Sequence, residues 1–448
     1  MSKYFDNEQF KLEIDFSDVT GLSNYVITTL PNTGYIQTIN TNITDGNRGD
    51  NPLGNMSSGR CYVSLFDNND TVNPMNTSSV YAGYMTPGRK ATLYKSADGE
   101  TWTRYFGGTI TNWQGSFKDG LHNITSITIE DDLNMIGLLD VSELSYSGGT
   151  AAEALEAIFT AFGLTSSDYD IDSSLSNIAY TQLKSPARRT INDILYRSLT
   201  YIQIKQNGKI YVKPLTPNAP SSADYELTAD DVGNTEPINT SAVNFSKVKV
   251  AYTSGEGLNY QLIASKSDLK LNNGVNTVIL DTLAKAFSIE SVCVTVNEGL
   301  SQQSYTDITY EASDSLISIQ INATLDEEKT GRVQVYGLIK GDSTDNYITV
   351  NLPQSSTGVL AETFIYESSN ILTEAAATTL ANQIAAFIIS LRKQVKIKTS
   401  FVTPDLEVGD TVSLTNISST YNGTYRVSAV ELEYGETYNV GFTLLKLA

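Results

Sequence analysis

The sequence predicts a mainly β protein with a small α+β part, and three observations carry that prediction. Residues Thr403 to Leu445 hold three runs of period-2 alternation joined by two glycine-marked turns. Between residues 140 and 216, two helix signals lead directly into a hairpin. From 253 to 362 the chain returns to short strands with few helical signals, which reads as an inserted β-sandwich. At roughly 150 residues per domain, 448 residues leave room for about three domains.

The elements follow in order. Phe10, Leu12, Ile14 and Phe16 alternate with Lys11, Glu13 and Asp15, giving a strand with one apolar and one charged face. The Asn- and Gly-rich stretch Thr41 to Gly59 reads as a long loop. Strands are expected at Cys61 to Phe66, Ala91 to Lys95, Trp102 to Trp113 and Asn123 to Glu130, closing an all-β unit near Leu139. Thr150 and Glu153 form a capping box, and Gly163 sits where a helix stops. Ser185 followed by Pro186 predicts the start of a second helix.

The hairpin after it can be registered from its apolar residues. A two-residue Asn207-Gly208 loop would split the isoleucines between faces, whereas a loop of Gln206 to Gly208 pairs Ile204 with Ile210 and Ile202 with Val212. The strand Phe245 to Tyr252 is expected to open a second barrel. Thr373 caps a helix with the stripe Ala376, Leu380, Ile384, Phe387, Ile388 and Leu391, and Val395, Ile397, Thr399 and Phe401 lead back to the barrel. In the last stretch Asn422-Gly423 supplies a hairpin turn, and a change of phase near Ala429 and Val430 predicts a bulge that bends the strand towards closure.

These residues resemble the tail-tip and baseplate hub proteins of tailed bacteriophages. The likeness rests on Leu65 to Asn69, Pro87 to Arg89 and Phe106 to Ile110 in the first β unit, on the helix–helix–hairpin order, and on the closing barrel from Pro404 onwards. It covers most of the chain outside roughly Thr253 to Glu362. It implies two tube-forming antiparallel β-barrels, with an N-terminal barrel at 1–139, a small α/β domain at 140–216, a second barrel at 217–252 and 363–448, and the sandwich at 253–362. It also implies a virion structural protein rather than an enzyme. The expected assembly is a homotrimeric ring that joins the sixfold tail tube to threefold tip structures and surrounds a channel for genome passage. Its partners would be the tail tube or distal tail protein, the tape measure protein, and tip fibre or spike proteins, with DNA passing through unbound. Its place would be the virion, after assembly in the host cytoplasm.

Composition narrows the other functions. A formal charge of −20 opposes a surface that grips phosphate. Cys61 and Cys293, the two cysteines, are too few for a disulfide framework or a zinc site and read as small buried hydrophobes. The polar start lacks a signal-peptide core, and no stretch is read as a membrane anchor. His122, the single histidine, lies in a strand-like run, so catalytic histidine arrangements have one candidate and zinc hydrolysis has too few ligands. No phosphate-cradling glycine motif is present. The sequence therefore offers no catalytic, cofactor or metal residues. Asp67 to Asp70 and Asp168, Asp170 and Asp172 read as solvated turns, with weak calcium binding as the sharper alternative. A Tyr-rich glycan-binding module, a cell-wall hydrolase with paired carboxylates and a contractile injection particle are the rival readings. Glu13, Asp15, Glu431 and Glu433 stand on the faces opposite their apolar neighbours and are the candidates to line a channel.

Overall fold

The computed structural model describes residues 8–447 apart from 30–33, 47–52, 54, 68, 119–121, 145, 147, 181–182, 216–218, 239–244, 253–257, 282–285, 299–300, 306–307, 314–315, 324–327, 341–345, 354–361, 368–373, 400–404 and 436–437. Its largest element is a 13-stranded sheet. The first seven strands are β1 (Gln9–Ile14), β2 (Tyr25–Thr28), β3 (Gly34–Thr44), β4 (Arg60–Asp67), β5 (Lys90–Ser96), β6 (Thr103–Lys118) and β7 (His122–Glu130). The other six are β8 (Tyr225–Leu227), β9 (Asn234–Ile238), β10 (Gln394–Thr399), β11 (Thr411–Leu414), β12 (Gly423–Tyr434) and β13 (Tyr438–Lys446). They run in the order β9-β10-β13-β12-β3-β4-β7-β6-β5-β1-β2, with β11 and β8 branching from β12.

The β12–β3 ladder decides this architecture. Ala429 to Tyr434 pair with Thr44 to Ile39, so the two expected barrel regions share one sheet. They also share one core, which runs from Phe10, Leu12 and Ile14 through Val63 and Ile129 to Val427, Phe442 and Leu444. The segment Thr41 to Thr44 therefore belongs to a strand, not to the loop expected there. Its Asn and Thr side chains look loop-like, but backbone pairing on both edges satisfies its polar groups. Farther along that stretch, Leu53 and Met56 are buried in two different cores.

Pro87 to Arg89 do form the turn into β5. Gly88, at φ 105°, donates its N–H to Ile110 O at 2.8 Å, and Arg89 pairs with Asp18. The expected bulge is present, with the register shift falling between Val427 and Ala429. Arg426 and Ser428 are nevertheless buried like their apolar neighbours, because the strand is covered on both faces here. The β11–β12 connection differs from the short turn expected. Leu414 pairs with Gly423, and Asn422 Oδ1 accepts from the N–H groups of Ile417 and Ser418, closing the longer loop 415–422.

The small α+β part packs α1 (Asp132–Leu138), α2 (Ala151–Ala161) and α3 (Ala187–Ser198) around one apolar cluster with the hairpin Thr200–Ile204 and Ile210–Pro214. That hairpin pairs Ile204 with Ile210 and Ile202 with Val212, with Gly208 at φ 85°. The capping box is complete: Thr150 Oγ1 accepts from Glu153 N at 3.2 Å, and Glu153 Oε2 accepts from Thr150 N at 2.7 Å. Replacing Thr150 with Ala is expected to cost about 1 kcal/mol in urea denaturation; no loss would show that tertiary packing alone fixes α2. Ser185 is not the cap of α3. Pro186 takes that position without a side-chain cap, and Ser185 Oγ donates to Asp140 instead, at 2.6 Å.

The strand Phe245–Tyr252 lies outside the large sheet. It forms a three-stranded sheet with Asn346–Asn351 and Glu362–Tyr366, which α4 (Glu374–Leu391) covers. The buried residues of α4 include Ala377, Ala381 and, of the expected stripe, Ile384, Phe387, Ile388 and Leu391, while Ala376 is exposed. By length and composition alone α4 would suffice to cross a membrane; in this fold its apolar stripe is spent on the sheet. Thr373 and Phe401 fall outside the described residues. Between 258 and 340 a four-stranded and a three-stranded sheet bury one cluster that includes Ile263, Val294, Ile319 and Val335.

Candidate channel face and junction

The β12–β3 ladder sets out a polar outer face. Along β12, Val430 and Leu432 turn into the core, so Glu431 and Glu433 turn away from it beside Asn40 and Asn42 of β3. Together with Arg60, Tyr62, Lys396, Lys398 and Asn439 they line a groove of about 430 Å³. A second groove, of about 760 Å³, shares Asn40, Tyr62 and Glu433 with the first and continues past Gln37, Ser64 and Ser126. Tyr62 is held in place by its hydroxyl, which donates to Ser126 Oγ at 2.8 Å.

Charge on this face is largely balanced from within. Lys396 pairs with Glu431, and Arg60 pairs with Glu130 at 2.8 Å. Glu433 is exposed. The structure therefore brings Glu431 and Glu433 together with lysines, and the face is not a wall of carboxylates. Glu13 and Asp15 lie outside both grooves, on and just after β1. Glu13 Oε1 accepts from Asn24 Nδ2 at 2.8 Å, and Asp15 Oδ1 accepts from Ser17 N at 2.8 Å. The Ser17 hydrogen bonds hold the Asp15 carboxyl below its ordinary range, with the Arg89 charge assisting.

In the other acidic clusters Asp67, Asp168 and Asp172 cap turns, whereas Asp170 lies in the short strand Tyr169–Ile171 and pairs with Lys213 at 2.8 Å. Asp67 accepts from the N–H groups of Asn69 and Thr71, Asp168 from Thr165, and Asp172 from Ser174. Among the described residues no group of His, Cys, Asp and Glu is arranged to hold a metal. Cys61 is fully buried, and burial pushes its thiol well above the ordinary value.

Farther along β12 lies a buried junction that sequence reading missed. Arg426 of β12 pairs with Asp45, just after β3, at 2.8 Å, with side-chain exposures of 3% and 0%. The guanidinium also lies 4.9 Å from the Tyr201 ring, which brings the α+β hairpin to the same point. Nearby, Arg104 of β6 donates to the carbonyls of Lys205 and Gln206 at 3.2 and 3.0 Å, and Lys205 pairs with Asp410 at 3.0 Å.

Asp131 ends this polar region. Its carboxylate accepts from Gly59 N at 2.6 Å and caps α1 through Leu133 N at 3.1 Å. Burial nevertheless pushes its carboxyl up to about 7, with the like charges of Asp132 and Glu130 adding to the effect. Because the folded value exceeds the unfolded one, the folded state binds more protons between them. Asp131's contribution to stability is then full below about pH 4 and is lost as pH rises towards 7. Asp131→Asn should flatten that part of a denaturation-midpoint profile; an unchanged slope would assign it to other groups.

Two solved structures match this arrangement over essentially its whole length. One is the 43 kDa tail protein of prophage MuSo2 from Shewanella oneidensis, at TM-score 0.53 and 8% identity, covering 98% of each chain. The other is a tail protein from Neisseria meningitidis MC58, at TM-score 0.55 and 8% identity, covering 98% of this chain and 97% of that one. This chain has the phage tail-protein fold. No protein-family model and no curated protein matches the sequence. The tail-protein likeness is carried by three-dimensional arrangement, since only 8% of residues are identical in either match.

Proposed function

We propose that the chain is the structural hub of a phage tail tip or baseplate, a homotrimeric ring around a channel for the genome. The observation that carries this reading is the end-to-end likeness to two tail proteins. The continuous sheet supports it, since one subunit then presents two joined β regions to the tube. In this reading the outer face of β3, β4, β10, β12 and β13 lines the channel. Neutral amides and internally paired charges suit a wall that passes DNA without holding it. The tail tube or distal tail protein and the tape measure protein would meet the ring on one side, and tip fibre or spike proteins on the other. The sandwich between 258 and 340, with its own core, would sit at the periphery. Light scattering on the purified protein tests the assembly: three chain masses are expected, and a stable dimer would rule the ring out.

A further inference from the structure

The loop between β4 and β5 is built with two faces. Val72, Tyr81 and Met85 are buried in the core of the large sheet. Met75, Val80 and Tyr84 lie on its outer side, at 79%, 68% and 42% exposure. The loop itself is held firmly. Asp67 accepts from Thr71 N at 2.6 Å, Trp113 Nε1 donates to Val72 O at 2.9 Å, and Asn73 Oδ1 accepts from Met75 N at 3.0 Å. Farther on, the Tyr81 ring lies 4.4 Å from that of Phe16 and its hydroxyl donates to Ser23 O at 3.1 Å, while Arg89 Nε donates to Tyr84 O at 3.0 Å. Met75 and Val80, exposed this far, add little to the fold. Yet the fold fixes the backbone that carries them, which lowers the ordering cost of docking against a partner.

Charge selects that partner. Residues 71–88 hold no charged side chain, in a chain of formal charge −20. Two copies of such a chain repel each other over most of their surface, so close approach costs least where acids are absent. A charge-poor surface that carries Met and Tyr also has the composition of the core of a protein–protein interface. We propose that the outer face of this loop, centred on Met75 and Val80, is where a second copy of the chain docks. The assignment rests on the trimeric-ring reading and adds to it a surface that holds the ring together. A threefold ring needs a heterologous contact, so each loop meets a different surface of the next copy and not its own equivalent.

Light scattering on the full chain and three variants tests it. Met75→Asp combined with Val80→Asp removes the apolar contact and places like charges in it, and the concentration at which the trimer dissociates is expected to rise about a hundredfold or more. Its far-ultraviolet circular dichroism should match the wild type, because both side chains are largely exposed within one chain. Met75→Leu combined with Val80→Ile should keep the trimer, and so should Val275→Asp, which alters an equally exposed valine on the sandwich. A wild-type trimer whose mass survives the paired aspartates leaves the ring standing and overturns this interface, whichever other tail protein the loop then serves. Equal dissociation by Val275→Asp would make the effect one of added charge and overturn the assignment too. A wild-type chain that forms no trimer overturns the ring reading and this interface together.

Discussion

Arg426→Ala is expected to destabilise the protein by about 3–5 kcal/mol, enough to unfold many domains outright. The substitution leaves Asp45, at 0% exposure, as a buried charge without its guanidinium partner. It also removes the cation from the Tyr201 ring, which loosens the hairpin's hold on the sheet. Urea denaturation of the purified variant measures the loss. The double replacement Asp45→Asn with Arg426→Met should recover part of it, because it removes the stranded charge as well as the pair. A single variant of near wild-type stability would mean that water reaches the pair and that the junction is not closed.

Gly108→Ala is expected to be nearly as damaging, at about 3 kcal/mol or more, the upper end for overpacking. A Cβ at this position would lie 2.0 Å from Glu130 O and 2.7 Å from Asp131 Cα. Both are backbone atoms, so no rotamer change can relieve the clash. The strand β6 must shift from β7 or carry Asp131 with it, and the Gly59 contact of Asp131 would then be strained. Soluble yield and a thermal midpoint compared with Gly163→Ala, which meets open space at its own positive φ, separate the clash from a loss of backbone freedom.

Much of the local structure was legible because side-chain period alone decides it. The hairpin register followed from keeping Ile202, Ile204, Ile210 and Val212 on one face, and the capping box followed from Thr150 and Glu153. The strand β3 was not legible. Its register shifts between Ile36 and Thr38, which breaks the alternation, and its Asn and Thr residues imitate a loop. Yet β3 is the strand that joins the two β regions. The helix α1 was missed because seven residues make too short a stripe, although Asp131 ahead of Leu133 and Ile136 was a usable start signal. Partner choice was also beyond reach: Phe245 to Tyr252 alternates as well in a small sheet under α4 as in a barrel. The Arg426–Asp45 pair, 381 residues apart in sequence, leaves no local trace.

Single-particle imaging of the purified, assembled protein tests the account most directly. A threefold ring is expected, with Asn40, Tyr62, Glu431 and Glu433 facing a central opening and the sandwich between 258 and 340 outermost. A particle without a central opening, or a ring with that face turned to its exterior, would contradict the hub assignment or its channel wall respectively.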